Sequence, residues 1–315
     1  MTEIYKQLKE FGKVKLNESM AKHTTFKIGG PVDFFITVDD ANKHGELLKY
    51  LQGQGLDYYI LGGGSNLLWQ DERYEGVVIK IIGGKIEVDS NVMIADVGVS
   101  WAVLVNTATQ NDLSGLEWGV GIPGMVGGAV RGNAGAMGSD VSKVLDKVLV
   151  WKDGEVVEIP NQELDFSYRS SIIKKQKDIV VLKAFFKLQK GNKAEILKQM
   201  QEYLKKRTSG RFPTAPSPGS FFKNLEIEKW QGKLEDLPDI FVERKKIPVG
   251  WLIENCGLKG YTVGGAKISD EHGNFIINIG NASQADVLSI IEKVKEKVYN
   301  KFGIELEEEV QIINL

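Results

Sequence analysis

An α+β fold is predicted by three observations. Strand-like and helix-like periodicities both recur along the 315 residues without regular alternation, which points away from a doubly wound α/β sheet. Two hairpins are legible from their turns, one at Asp89-Ser-Asn91 and one at Asp153-Gly154, the latter a strong short-range hairpin signal. Two glycine-dense loops, Leu61-Gly-Gly-Gly-Ser-Asn-Leu-Leu68 and Gly121-Ile-Pro-Gly-Met-Val-Gly-Gly-Ala-Val130, punctuate the pattern. Glycine brings bare backbone N–H groups up to a ligand and tolerates the φ > 0 angles of anion-binding concavities. Two such loops suit a long phosphate-bearing ligand gripped at two places, and a dinucleotide is the natural candidate.

Taken in order, Asp33-Phe-Phe-Ile-Thr-Val38 reads as a strand, and Asp40 is placed to cap a helix through Leu51 whose Leu47, Leu48 and Leu51 recur at helical spacing. Tyr58-Tyr-Ile-Leu61 is a second strand that runs into the triple glycine. The hairpin Ile86-Glu-Val88 with Val92 to Val97 leads to Ser100, read as the cap of a helix carrying Trp101, Leu104, Val105 and Ala108. Val148 to Trp151 and Val156 to Ile159 flank Asp153-Gly154, and Asp178 to Leu188 is a further strand. Ala194 to Lys206 is an amphipathic helix, after which the proline-studded Thr208 to Gly219 breaks regular structure and marks a boundary. A C-terminal helix from Gln284 to Phe302 precedes a strand from Ile304 to Ile312, which puts Glu305, Glu307 and Glu309 on one face.

Composition narrows the function. With 42% hydrophobic and 26% charged residues and a net charge of −2, the chain is neither disordered nor drawn to nucleic acid. Its one cysteine, Cys256, excludes an internal disulfide and a cysteine-based zinc site, and His23, His44 and His272 lack paired ligand spacing, so no metal centre is expected. The first ten residues lack an apolar signal core and no uncharged run approaches spanning length, so a cytoplasmic location without membrane contact is expected.

The motifs have bland readings as well. Gly119-Val-Gly-Ile-Pro-Gly124 matches the G-x-G-x-x-G dinucleotide pattern, but glycines at 127, 128, 132 and 135 interrupt the helix that a Rossmann crossover needs. The Rossmann reading is rejected. Either glycine loop alone serves equally well as a turn; the pair, with Asn66 and Asn133 beside them as donors, favours a ligand. Arg169, in Tyr168-Arg-Ser-Ser171, has the geometry to grip a carboxylate or phosphate, although a surface ion pair is the commoner role of such a residue. If Ser220 to Asn224 is extended, Ser220, Phe222 and Asn224 share a face, as they would in an ordinary edge strand. A glutamate row like 305, 307 and 309 is usually solvated. No Ser-His-Asp arrangement is evident.

Read together and in order, Leu61-Gly-Gly-Gly-Ser-Asn66, Gly121-Ile-Pro-Gly124 through Gly127-Gly-Ala-Val130, Asn133-Ala-Gly135, Tyr168-Arg169, Gly219-Ser-Phe-Phe-Lys-Asn224, Gly250-Trp-Leu-Ile253 and Gly264-Gly-Ala266 resemble the UDP-N-acetylenolpyruvoylglucosamine reductase (MurB) family. The similarity runs from about His23 to the C-terminus. It implies an FAD-binding fold of the vanillyl-alcohol-oxidase (PCMH) type: FAD-binding subdomains at 1–85 and 86–207, and a substrate-binding α+β domain at 208–315 whose last strand returns toward the active site. It implies non-covalent FAD, NADPH as reductant, and reduction of UDP-N-acetylglucosamine enolpyruvate to UDP-N-acetylmuramate in peptidoglycan precursor synthesis. It leaves the oligomeric state open.

By the same resemblance Gly62, Gly63, Gly64, Ser65, Asn66, Gly121, Ile122, Gly124, Gly127, Gly128 and Asn133 hold the flavin. Arg169, Ser220 and Glu309 are catalytic, and Tyr168, Asn224, Lys259 and His272 face the substrate. The short stretch between Arg169 and Ser220 resembles the branch that lacks an inserted substrate-closing loop. Gly132 and Met137 stand where bulkier residues and tyrosine are frequent, and Glu308 stands where proline is frequent, so a two-residue slide nominates Glu307 in place of Glu309. The wider fold also contains alcohol and sugar oxidases, but covalent flavin attachment has no evident residue here, since neither His23 nor Cys256 lies beside a glycine loop in sequence. A non-catalytic nucleotide-sugar or flavin module is disfavoured by retention of Arg169, Ser220 and Glu309.

Overall fold

The computed structural model describes residues 2–40, 43–176, 178–208 and 212–315. The chain forms two compact units: residues 1–18, 32–63 and 75–207 make the first, and residues 19–31, 64–74 and 208–315 the second. Each has its own apolar core. Residues 209–211 of the predicted proline-rich break lie outside the described residues, as do 41 and 42 beside the predicted Asp40 cap.

The first unit holds two larger sheets, of four and five strands, beside two two-stranded pairs. Strands Lys13–Ser19, Pro31–Val38, Tyr74–Ile81 and Tyr58–Leu61 lie in that order in a four-stranded sheet whose last pair is parallel. The crossover from Pro31–Val38 to Tyr58–Leu61 runs through the helix Lys43–Gly53, which buries Leu47, Leu48 and Leu51 as its spacing predicts. The helix starts at Lys43, whose N–H bonds to the Asp40 backbone carbonyl. An N-terminal helix, Thr2–Phe11, escapes the sequence reading because charges break up its apolar residues. Ile4, Leu8 and Phe11 are nonetheless spaced for one face and join the core.

The other sheet is antiparallel throughout, in the order Glu155–Pro160, Leu145–Lys152, Val180–Lys187, Val92–Asp96, Ile86–Asp89. Asp153 and Gly154 adopt φ of 51° and 87°, the left-handed pair of a type I′ hairpin turn. The helix after Ser100 spans Trp101–Gln110, but the Ser100 hydroxyl makes no capping bond. That of Lys193–Thr208 runs slightly beyond its predicted ends.

The second unit packs the helix Gln284–Phe302 on a three-stranded antiparallel sheet, Thr262–Val263, Ala266–Ile268 and Ile276–Asn278. Ser283 and Asp286 form a reciprocal capping box, and Gly303 closes the helix at φ 68°. The predicted strand from Ile304 to Ile312 is not formed: only Gln311–Ile313 is a strand, paired in parallel with Leu67–Trp69. Ile304 and Leu306 point inward as alternation requires, but the chain then bends at Glu309 and Val310, whose N–H groups both turn to the Phe221 carbonyl at 2.8 and 3.3 Å. Through this stretch Phe222 bridges Glu308 in antiparallel fashion, and Lys223 N–H bonds to the Glu307 carbonyl at 2.9 Å.

One buried group in the first unit sets a pH limit on stability. His44 is buried among Leu47, Leu48, Ile60, Ile79 and Ile81 beside a void of about 10 Å³, and neither ring nitrogen has a hydrogen-bond partner among the described residues. Burial lowers its pKa below the usual 6.5, against the raising influence of Asp96 and Asp40. The folded state thus keeps His44 neutral, and stability is lost as pH falls below 6.5, where the unfolded chain takes up the proton. We expect His44→Leu to be stabilising by about 1 kcal/mol at pH 7 and to remove this component of the loss between pH 6.5 and 5, as read from urea midpoints across that range.

Candidate active site

The two glycine loops meet in the first unit. A Cβ on Gly63 would stand 2.8 Å from the Gly124 Cα, closer than real Cβ contacts come, so the loops touch backbone to backbone only because both positions are glycine. The second loop is pinned to its surroundings by Trp101 N–H to the Gly124 carbonyl at 3.0 Å and Gly127 N–H to the Val97 carbonyl at 3.0 Å. Beside this contact the faces of Gly62 and Gly128 are open: a Cβ on Gly62 has nothing nearer than the Gly128 Cα at 4.0 Å, and one on Gly128 has nothing within 4 Å. The helix after the loop, Val126–Arg131, has only 6 residues, which bears out the case against a Rossmann crossover. Ile122 is half-buried next to it. Beneath lie Tyr59, its pKa pushed up to about 12 by burial, and Arg131, lowered by burial and partly restored by Tyr59.

Arg169 is held with unusual strictness. Ser167 and Ser170 exchange backbone hydrogen bonds of 3.1 Å, so Tyr168 and Arg169 form the tip of a two-residue turn, with Arg169 at φ 56°, a region a branched side chain rarely occupies. Its guanidinium donates to the Gly135 carbonyl at 2.7 Å and the Asn133 carbonyl at 3.5 Å and lies 5.0 Å from the Tyr168 ring centre. Asn133, 4% exposed, accepts from Ser142 N–H and donates to the Ser167 carbonyl. Its amide braces the Arg169 turn. Fully buried Ser171 donates to the Arg131 carbonyl at 2.6 Å, which ties that turn to the helix below the second loop.

Sequence reasoning overlooked Arg207, at the end of helix Lys193–Thr208. Its Cδ lies 3.3 Å from where a Gly121 Cβ would be, and its Nε has no hydrogen-bond partner among the described residues. Desolvation, then the like charge of Arg169, lowers its pKa. Two guanidiniums in one neighbourhood make a positive field that favours an anion. No sequence pattern marked it, because it sits in an ordinary basic helix end.

In the second unit Glu309 is joined to the residue after Ser220: the Phe221 carbonyl takes the Glu309 N–H at 2.8 Å. Asn66 donates its side-chain N–H to the Glu309 carbonyl at 3.1 Å and accepts the Gln311 N–H at its own carbonyl at 3.1 Å. The end of the first glycine loop, Gly64-Ser-Asn66, is thereby fastened to the Glu309 bend. Gly64 has φ 65°, and a Cβ there would meet the His23 carbonyl oxygen at 2.0 Å. Glu307 is exposed and ion-paired with Lys223, and Glu308 is paired with Lys295 at 2.6 Å. The stretch at 220–224 is bridged at Ser220 and Phe222, but it is not an edge strand with one wet face: Phe221 and Phe222 are both buried, 0% and 1% exposed. Segments on both sides clamp this stretch, so its two faces are equally covered.

The remaining predicted residues form a second group. Asn224 accepts the Val249 N–H at 3.2 Å. His272 stacks on Phe212 with ring centres 5.9 Å apart, and a Cβ on Gly250 would reach its Cε1 at 2.7 Å. Lys259 lies 3.9 Å from Glu254, which accepts the Gly273 N–H beside His272. A shallow groove of about 260 Å³ lined by Asn255, Cys256, Lys297, Asn300 and Lys301 contains none of the predicted residues. Partial burial raises the Cys256 thiol pKa, against the lowering influence of Lys301 and Lys297.

Comparison with known proteins agrees with this layout. An FAD binding domain model matches residues 32–160, and the model of the UDP-N-acetylenolpyruvoylglucosamine reductase C-terminal domain matches residues 212–313. The chain is similar to the UDP-N-acetylenolpyruvoylglucosamine reductase of Caldanaerobacter subterraneus subsp. tengcongensis, 39% identical over 310 residues, 98% of this chain and 96% of that one. It is equally similar to that of Bacillus subtilis, 39% identical over 318 residues and 99% of each chain. Among solved structures it resembles UDP-N-acetylenolpyruvylglucosamine reductase (MurB) from Thermus caldophilus, with 33% identity and a TM-score of 0.76 over 96% of this chain and 98% of that one.

The glycine contacts predict a contrast. Gly63→Ala forces the loops apart and is expected to destabilise the apoprotein by about 1–3 kcal/mol. Gly128→Ala adds a methyl to a helix facing open space and is expected to leave stability unchanged or raise it by up to about 1 kcal/mol. Denaturant midpoints of the two variants, compared with the parent, test this ordering.

Proposed function

The chain belongs to the UDP-N-acetylenolpyruvoylglucosamine reductases, FAD-dependent oxidoreductases of peptidoglycan precursor synthesis, and on that premise we propose that Arg169, Ser220 and Glu309 carry the chemistry. The observation that supports this most is the fixed spacing of Ser220 and Glu309 about the Phe221 carbonyl. The residues present fit the cofactor. Gly62 and Gly128 leave a cradle that side chains would fill, and with Gly63, Gly64, Ser65, Asn66, Gly121, Ile122, Gly124 and Gly127 they would hold FAD; Asn133, expected beside them, has its side-chain amide taken up by the Ser142 N–H and the Ser167 carbonyl and would act through the backbone it braces. Bound FAD supplies hydride, drawn from NADPH, to the vinyl carbon of the enolpyruvyl ether.

Addition of hydride to that carbon leaves negative charge on the carbon bearing the ether oxygen, delocalised into the adjacent carboxylate. The protein must stabilise an enolate and then protonate it. Arg169 stabilises the charge electrostatically: its guanidinium is already oriented by the Asn133 and Gly135 carbonyls, so little reorganisation accompanies the reaction. Ser220 delivers the proton to carbon. A hydroxyl is a weak acid in general, yet adequate against a carbanion-like enolate. Glu309 helps only with a proton on it or through a bridging donor, since a bare carboxylate would repel the enolate. Glu307 and Glu308 are each engaged by a lysine. Tyr168, Asn224, Lys259 and His272 are assigned to the nucleotide-sugar substrate, and Arg207 adds a second cation near Arg169. Among the described residues no helix is long and apolar enough to cross a membrane, and the reading carries with it a cytoplasmic location, where NADPH and nucleotide sugars are made.

Two measurements test the reading. In Ser220→Ala, bleaching of the flavin by NADPH is expected to persist while reoxidation by the enolpyruvyl sugar slows by orders of magnitude, because only the second half-reaction protonates carbon. Equal loss in both halves would make Ser220 structural. Gly128→Ala is expected to keep the fold of the apoprotein and to weaken FAD binding at least about tenfold, since the methyl enters the cradle rather than the core; unchanged flavin affinity by titration calorimetry would remove Gly128 from the cofactor site.

A further inference from the structure

Asn274 is a buried amide with no part in the roles assigned above. It is 2% exposed and lies in the loop before strand Ile276–Asn278. Its side chain is fully engaged: Oδ1 accepts the Phe222 N–H at 2.9 Å and Nδ2 donates to the Phe222 carbonyl at 2.8 Å. Its backbone carbonyl accepts the Phe221 N–H at 2.8 Å, and its own N–H donates to His272 Nδ1 at 3.0 Å. One residue thus occupies three backbone groups of Phe221-Phe222, in the manner of a paired strand. The fourth, the Phe221 carbonyl, receives Glu309. Ser220 immediately precedes this clamped pair and bridges to Phe275, the residue after Asn274.

We propose that Asn274 is a positioning residue for proton transfer: by holding both backbone groups of Phe222 it fixes Ser220 and, through the Phe221 carbonyl, the Glu309 bend. The proposal rests on Ser220 being the proton donor. Burial explains why the clamp requires an amide. The two phenylalanine side chains are buried, so each Phe222 backbone group needs an internal partner, and the amide of Asn or Gln sets a donor nitrogen and an acceptor oxygen side by side in one plane, as a backbone N–H and carbonyl require. Gln would displace the segment by a methylene. Because His272 accepts at Nδ1, its proton resides on Nε2, so the same residue also sets the face that His272 presents.

The test uses FAD-loaded Asn274→Asp, which keeps the shape and the acceptor but loses the donor. Bleaching by NADPH is expected within about twofold of the parent, and reoxidation by the enolpyruvyl sugar at least about 30-fold slower. The solvent deuterium isotope effect on reoxidation is expected to rise, because proton delivery becomes limiting. Independently of activity, the Phe221 and Phe222 amides should exchange with solvent faster. In the double variant with Ser220→Ala, Asn274→Asp should add little to the loss caused by Ser220→Ala alone, since both act on one step. Should the aspartate prevent folding, Asn274→Ser is read in the same way. Equal slowing of both half-reactions, an unchanged isotope effect, or additive losses in the double variant would overturn the positioning role. Normal reoxidation in Ser220→Ala would instead overturn the proton-donor reading beneath it, whatever Asn274→Asp does.

Discussion

Burial of the Phe221-Phe222 pair is the constraint on which the second unit's chemistry depends. Two adjacent aromatic side chains, both without exposure to speak of, cannot belong to a strand with one wet face, so the backbone between them must find partners inside the protein. It finds them in two distant segments. Asn274 takes three of the four groups, and the Glu309 bend takes the last. Ser220, a residue whose hydroxyl alone has no special acidity, gains its place next to Glu309 from this arrangement. A pattern of apolar burial thereby becomes a constraint on the position of a proton.

The first unit solves a similar problem for a cation. Arg169 sits at the tip of a tight turn with positive φ, a conformation that costs on the order of 1–3 kcal/mol. The turn persists because Asn133 and Ser171, both buried, bond to its backbone flank and to the helix below. The guanidinium is then aimed by the Gly135 and Asn133 carbonyls. Preorganised positive charge of this kind is what stabilisation of a developing enolate calls for. Arg207, whose Nε has no hydrogen-bond partner among the described residues, adds a like charge: burial and then the nearness of Arg169 lower its own pKa.

Much of the architecture was legible because its cause is local. The Asp153-Gly154 turn, the strand Tyr58–Leu61 and the helix Gln284–Phe302 each follow from backbone preference or from periodicity within a short window. The α+β FAD-binding fold and the family were legible from the order of short motifs. What failed did so where long-range contacts overrode the local pattern. Ile304 to Ile312 alternates well enough for a strand, yet the Phe221 carbonyl draws Glu309 and Val310 into a bend before Leu67–Trp69 captures the end. The serine at 100 stands at a helix start, as expected, but its hydroxyl does not cap. Arg207 and Asn274 carried no signal, because a basic helix end and a loop asparagine are common and their importance lies wholly in what they touch.

By itself, then, the sequence determined the class of fold, the two glycine loops and the family to which they belong, since glycine content, turn chemistry and apolar period act over a few residues. The tertiary structure decided that the loops meet at Gly63 and Gly124, that Asn66 and Asn133 hold protein backbone, and that Glu309 bonds to the Phe221 carbonyl. The reason is physical: a buried N–H or carbonyl must be satisfied by whichever segment folding brings near it, and that partner is fixed by packing across the chain rather than by neighbours along it.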